Sequence, residues 1–191
     1  MLIRWDPRPA VAAGVGDVEA QAFLAAEDFD FSAWNRRADA GAAWLELQQE
    51  LASTHPHWHD HGASYVTNFG LSLVGELEDN VAVLRDLHAA GVPLFALTNW
   101  SHELFPQALE RFDFLALFED IVVSGAEKLA KPDPAVFELL GRRVGRPLTD
   151  CVFVDDSAAN VAAAAEAGMD AIVFRDGEPL REQLRARGLP V

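Results

Sequence analysis

The reading of the fold turns on the stretch Val152-Phe153-Val154-Asp155-Asp156-Ser157-Ala158-Ala159-Asn160. Three apolar residues of the kind a buried strand favours run straight into two adjacent carboxylates, and a small-residue segment of helical character follows. Side-by-side aspartates repel unless a cation or a lysine offsets them. A single polar residue after a strand needs no explanation beyond contact with water. A carboxylate pair in that place, with a lysine nearby in the chain, points to metal or catalytic chemistry.

The same design repeats upstream. The apolar run Val92–Leu97 ends in Thr98-Asn99, and Ile121–Val123 ends at Ser124, with Lys131 a few residues on. Helices are expected over 80–90, 101–112, 134–143 and 160–168, then a strand over 171–174 and a last helix over 179–187. Strands alternating with helices of about ten residues give βαβ units, so the expected class is α/β with a Rossmann-like parallel sheet. Ligands in such sheets bind beyond the carboxyl ends of the strands, where these polar residues collect.

The first third has a different rhythm. Helices are expected over 17–29, 33–40, 42–52 and 65–77, and nothing from 8 to about 75 reads as a strand. The expected organisation is an α/β core of residues 1–7 and 77–191 with a helical cap of residues 8–76 inserted in it.

Composition sets outer bounds. The chain has 191 residues, of which 50% are hydrophobic and 24% charged, enough to bury a core in one domain. Its formal charge of −15 argues against a nucleic-acid binder. No apolar run is long enough to span a membrane, and Arg4, Asp6 and Arg8 interrupt any secretory leader. The lone Cys151 suits a reducing compartment, so a cytoplasmic location is expected. Of the 15 basic residues only Lys128 and Lys131 are lysine, and they lie within four positions of each other in a chain that otherwise uses arginine.

Taken in order, Leu94–Asn99, Val122–Gly125 with Lys131-Pro132-Asp133-Pro134, and Val152–Asn160 resemble motifs II, III and IV of the haloacid dehalogenase (HAD) superfamily. Trp5-Asp6-Pro7-Arg8, the 31–34 region and Thr98-Asn99-Trp100-Ser101 resemble its branch of sugar-phosphate phosphatases and epoxide-hydrolase N-terminal phosphatase domains. The resemblance implies a Mg2+-dependent phosphatase that works through an aspartyl-phosphate on a small phosphorylated metabolite. It implies Asp156 as metal ligand, with Asp155 supporting the metal or orienting Lys131. Thr98 and the Asn99 backbone N–H would hold phosphoryl oxygens, and Lys131 would offset their charge. Asn160 and Ser124 would support these groups, and Trp5 and Trp34 would line the substrate cavity under the cap. The 2-haloacid dehalogenases of the family work without metal and carry neutral residues in place of the acidic pair, which makes that activity the second choice.

One motif is missing. Relatives with this Trp-Asp-Pro signature carry a strand ending in the nucleophilic aspartate, and aligned on Leu2–Pro7 that aspartate would fall four positions before Met1. The resemblance therefore implies a chain that is inactive as it stands, with Met1 at a position the relatives fill with Val and translation starting further upstream. It also implies a sheet without its middle strand, leaving backbone groups unpaired and an apolar trough open. A catalytically dead binding or regulatory protein is the competing account. His55, His57, His59 and His61 alternate along one segment and could ligate a metal on a strand or, in part, on a helix. Solvated imidazoles are the commoner outcome. Oligomeric state is not legible.

Overall fold

A computed structural model describes residues 1–177 and 179–191. The chain enters through a short strand, β1 (Ile3–Trp5), and then builds a bundle of five helices: α1 (Arg8–Val15), α2 (Asp17–Leu24), α3 (Phe31–Asp39), α4 (Trp44–Thr54) and α5 (His59–Thr67). Asp30 caps α3 by accepting the Ala33 N–H at 2.8 Å. Helix α1 has Pro7 at its N-cap and Pro9 in its first turn, where the missing N–H costs no hydrogen bond. Aromatic rings fill the bundle. Phe23, Phe31, Trp34, Trp44 and Tyr65 are all buried, and Trp34 meets Trp44 edge to face at 4.9 Å.

The return from the bundle corrects one expectation. The segment 65–77 is not one helix: α5 ends at Thr67, a 3-10 turn covers Phe69–Ser72, and β2 (Leu73–Glu76) pairs antiparallel with β1. The two strands form a neck where the chain enters and leaves the bundle. Its register places Ile3 opposite Glu76 and Arg4 opposite Gly75.

Beyond the neck the βαβ alternation unfolds as expected. Helix α6 (Glu78–Ala89) leads to β3 (Phe95–Thr98), α7 (Phe105–Arg111) to β4 (Asp120–Val123), and the short α8 (Ser124–Glu127) to α9 (Pro134–Val144). Then β5 (Val152–Asp155), α10 (Ala158–Glu166), β6 (Asp170–Val173) and α11 (Leu180–Ala186) follow. Helix α9 starts on an Asp133 side chain that accepts the Ala135 N–H and stops at Gly145, whose φ of 68° suits glycine. Helix α10 starts on Ser157, which accepts the Asn160 N–H.

The parallel strands do not form one sheet. Among the described residues β3 pairs only with β4 and β5 only with β6, in two separate two-stranded ladders. The inner strands of both ladders border one cavity of about 550 Å³, lined by Phe95–Asn99 on one side and Val152–Asp156 on the other. No residue of β3 is fully buried, although an inner strand of a wound sheet ordinarily lies between two covered faces. This is the open trough that an absent middle strand would leave.

Candidate active site

The carboxyl ends of β3 and β5 meet at one mouth of that cavity, and a buried ion pair closes it. The Lys131 ammonium donates to an Asp155 carboxylate oxygen at 2.6 Å and to the Leu97 backbone carbonyl at 2.7 Å. Lys131 thus bridges the two half-sheets, β3 through a carbonyl and β5 through a carboxylate. The side chains of Lys131 and Asp155 are 9% and 7% exposed. A pair so shielded from water is held by geometry, and removing one partner strands the other charge. The Phe153 ring lies 5.6 Å below the ammonium.

Three further contacts fix this pair. Asn99 and Lys131 exchange two hydrogen bonds: the Asn99 amide donates to the Lys131 carbonyl, and the Lys131 N–H donates to the Asn99 side-chain oxygen, both at 2.9 Å. The other oxygen of Asp155 accepts the Ser157 N–H and the Asn160 amide, each at 2.9 Å. Asn99 therefore ties the lysine loop to the end of β3, and Asn160, one turn into α10, anchors the carboxylate. The sequence offered only a backbone role for Asn99. Its side chain does more, and the proximity of Asn99 to Lys131 in space is what the linear order could not reveal.

Both Asp155 oxygens accept hydrogen bonds in this way, and of the two roles considered for it the geometry suits the orienting of Lys131. Asp156 is exposed at the rim and is the acidic neighbour with an open carboxylate. No group of three or more His, Cys, Asp or Glu among the described residues is arranged to hold a metal ion. For Mg2+, which keeps several waters and takes one or two carboxylates plus phosphate oxygens, Asp156 fits as one ligand and the remainder must come from phosphate, water or a further carboxylate.

Thr98 and Asn99 border a second cavity of about 250 Å³ between bundle and core. Trp5 lines it, 46% exposed and stacked on Phe31 at 6.3 Å. Trp34 lies elsewhere. Its indole N–H is committed to the Leu47 carbonyl inside the bundle, and the ring is 4% exposed. The tryptophans that do border the cavity besides Trp5 are Trp44 and Trp100. Ser124 sits under the rim instead of on it: its hydroxyl donates to the Asp39 carbonyl and accepts the Trp100 N–H at 2.9 Å, clamping α3 to the core.

The polar wall of this chamber was not foreseen. Tyr65 donates to Asn35 at 2.8 Å, and Asn35 donates to Asp39 at 3.2 Å. Burial pushes the Asp39 carboxyl up to about 6, against the Ser101 backbone N–H and Arg36, which pull it down. Burial and the nearby Asp39 likewise raise the Tyr65 phenol. A signal existed: Asn35 and Asp39 stand four apart on the face of α3 that also carries Phe31, Trp34 and Ala38.

The histidine run does not converge. His57 pairs with Asp28 at 2.9 Å and His59 with Asp60 at 3.0 Å, while His61 is buried against Phe23 and Trp58. Lys128 is exposed in a left-handed turn with φ of 57°.

Comparisons with known proteins agree with this architecture. The family model for haloacid dehalogenase-like hydrolases matches residues 5–168. A sesquiterpene phosphatase from Aspergillus oryzae, astK, is 31% identical over 104 residues, covering 54% of this chain and 53% of that protein. A (S)-2-haloacid dehalogenase from Pseudomonas putida is 30% identical over 90 residues, covering 47% and 40%. The chain thus spans about half or less of the length of these curated relatives. Among solved structures, a HAD family enzyme from Bacteroides thetaiotaomicron, in complex with magnesium and inorganic phosphate, superposes with a TM-score of 0.75 at 19% identity, covering 96% of this chain and 94% of that one. With motif order, wound fold and converging strand ends in agreement, the chain belongs to the haloacid dehalogenase-like hydrolases.

Proposed function

We propose that this chain carries the phosphate-binding side of a Mg2+-dependent hydrolase of small phosphorylated metabolites, and that the 191-residue form does not turn substrate over. The observation that carries the reading is the buried Lys131–Asp155 pair at the meeting point of two strand ends. Few arrangements keep an ammonium so dry unless it serves an anion. The Thr98 hydroxyl and the Asn99 backbone N–H would donate to phosphoryl oxygens, and Lys131 would offset their charge without reorganisation. Asp155, Asn99 and Asn160 hold Lys131 in place and are positioning residues. A Mg2+ held in part by Asp156 would supply further charge neutralisation at the phosphoryl group. Trp5, Trp44 and Trp100 would surround the organic part of the substrate.

The missing element is an attacking carboxylate. Within this chain Asp155 is committed to Lys131, and Asp6 belongs to the turn after β1, where it accepts the Arg8 N–H at 2.9 Å. Dehalogenase activity is the second reading, supported by the P. putida relative and weakened by the acidic Asp155-Asp156 pair. A dead regulatory domain is the third.

Titrating the chain with orthophosphate, with and without Mg2+, tests the reading through the amide signals of Thr98 and Asn99. Saturable shifts that Mg2+ strengthens and Lys131→Met abolishes are expected. Shifts with bromide or chloride, and none with phosphate, would favour the dehalogenase; no response to either would sink the anion site.

A further inference from the structure

We infer that the cavity of about 250 Å³ between bundle and core receives a phosphate ester carrying a cationic amine, and that Asp39 is the residue that selects the amine. The inference rests on the reading of Thr98 and Asn99 as the phosphate end of that cavity, and adds what the bundle wall selects.

The bundle wall is a chain of hydrogen bonds with one direction. The Tyr65 hydroxyl donates to the Asn35 side-chain oxygen at 2.8 Å, and the Asn35 amide donates to an Asp39 carboxylate oxygen at 3.2 Å. The Trp5 indole N–H, a donor only, approaches the Tyr65 oxygen. The relay therefore runs from Trp5 through Tyr65 and Asn35 and ends on a carboxylate, each donor polarising the next bond. It is held in place by packing. Asn35 and Asp39 lie one turn apart on α3, and the Tyr65 ring, 1% exposed, meets Phe31 edge to face at 5.1 Å.

What this wall lacks is a positive charge. Asp39 is the one charged side chain among the described residues that line the cavity. Arg36, which favours its ionised form, pairs with Asp30 at 3.9 Å and is exposed. Burial outweighs that help and holds the Asp39 carboxyl up to about 6. A bound cation relieves such a carboxylate, and two kinds of donor could reach it. An ammonium brings donors and asks for none, whereas a hydroxyl also needs a donor in return. The Tyr65 hydroxyl is already spent on Asn35, and the Trp44 indole N–H on Ser101 at 2.9 Å. The rings of Trp5, Trp44, Phe69 and Trp100 border the same space, and aromatic faces attract an ammonium more than a neutral polar group.

The core wall has the opposite character. Thr98 and the Asn99 backbone N–H are donors there, and the Trp100 indole N–H is buried with no partner among the described residues. A buried donor left unpaired is costly, and a phosphate ester brings the acceptors this wall is short of. One space thus sets donors on the core side against a carboxylate among aromatic rings on the bundle side, the charge pattern of a zwitterionic ester. At about 30 Å³ per water, 250 Å³ holds roughly eight waters, room for a short aminoalkyl phosphate.

The test titrates the 191-residue chain with orthophosphate, 2-aminoethyl phosphate and 2-hydroxyethyl phosphate, the two esters matching in size and differing in charge. At about pH 7.5 a carboxyl that titrates near 6 is ionised and an alkylamine is protonated. Binding is read at the amides of Asn99 and of Ser101, whose N–H meets Asp39. The amine ester should bind at least roughly tenfold more tightly than the hydroxyl ester and should shift the Ser101 amide. Asp39→Asn should bring the two affinities within about twofold of each other, a ratio that a merely structural role would not move. The comparison on the unaltered chain decides even if that variant does not fold. Equal binding of the two esters, with orthophosphate bound, would overturn the amine selection and leave the phosphate reading standing. No response of Asn99 to orthophosphate or either ester would overturn both. A preference for the amine ester that survives Asp39→Asn would overturn the assignment to Asp39.

Discussion

At the residue scale the account rests on Lys131. Its ammonium joins β3 and β5 at the mouth of the cavity, and its loop is pinned by Asn99. Replacing Lys131 with Met leaves the Asp155 carboxylate buried with only Ser157 and Asn160 as donors. That should destabilise the fold by about 3 kcal/mol in urea unfolding, where Lys128→Met, at an exposed position, should change it by less than about 0.5 kcal/mol. Asp39 makes a different prediction. Its carboxyl titrates near 6 when folded and at its ordinary 3.8 when unfolded, so between those values the folded chain holds more protons. Stability should therefore fall as pH rises from about 4 to 6, by an amount on the order of 1–3 kcal/mol. Asp39→Asn should flatten that slope in thermal melts. A slope that survives the substitution would assign it to another group. Lys131 could be singled out from sequence because lysine is so rare here, while Asp39 hid among the charged residues of α3. Trp34 and Trp44 could not be told apart by composition: both are indoles on cap helices, and only packing decides that one faces Leu47 and the other the chamber.

At the scale of elements, what could be read was the alternation and its polar strand ends. Apolar runs stopping at Thr98-Asn99, Ser124 and Asp155-Asp156 place three strand ends within a residue of where they fall. What could not be read was β2. Leu73-Val74-Gly75-Glu76 is too short to show a period, and it becomes a strand only by pairing with Ile3–Trp5, some seventy residues earlier. The β1–β2 pairing ties together the two ends of the helical bundle. Ser124 and Trp44 supply further ties, the second through a 2.9 Å bond from the indole N–H to Ser101. Ser124→Ala should leave the Asp39 carbonyl and Trp100 N–H without their partner and cost about 1–3 kcal/mol, read by chemical denaturation. If α3 docks on the core by apolar packing alone, the loss will be below about 0.5 kcal/mol.

At the scale of the molecule, two features stand out. A net charge of −15 on 191 residues repels itself in the compact state. Moderate salt, which shortens the Debye length to about 8 Å at 0.15 M, should raise the thermal midpoint by a few degrees, and a midpoint that does not move would locate the acidic residues in compensated pairs. No described helix is long and apolar enough to cross a membrane. The second feature is the division of the parallel strands into two ladders around an apolar cavity. The resemblance implied a sheet open at its middle, and among the described residues the parallel strands form two separate ladders. The motif pattern also offered Asp155 as a residue that orients Lys131, but the bond from Lys131 to the Leu97 carbonyl, which carries the bridge to β3, was beyond its reach.

The central claim is that an anion site stands ready here without its attacking group. Hydrolysis of p-nitrophenyl phosphate in the presence of Mg2+ tests it most directly. The 191-residue chain should release p-nitrophenol no faster than buffer does, at any pH where it is folded. Turnover by this chain that disappears on Lys131→Met would contradict the account, because it would place a working nucleophile among the residues already present.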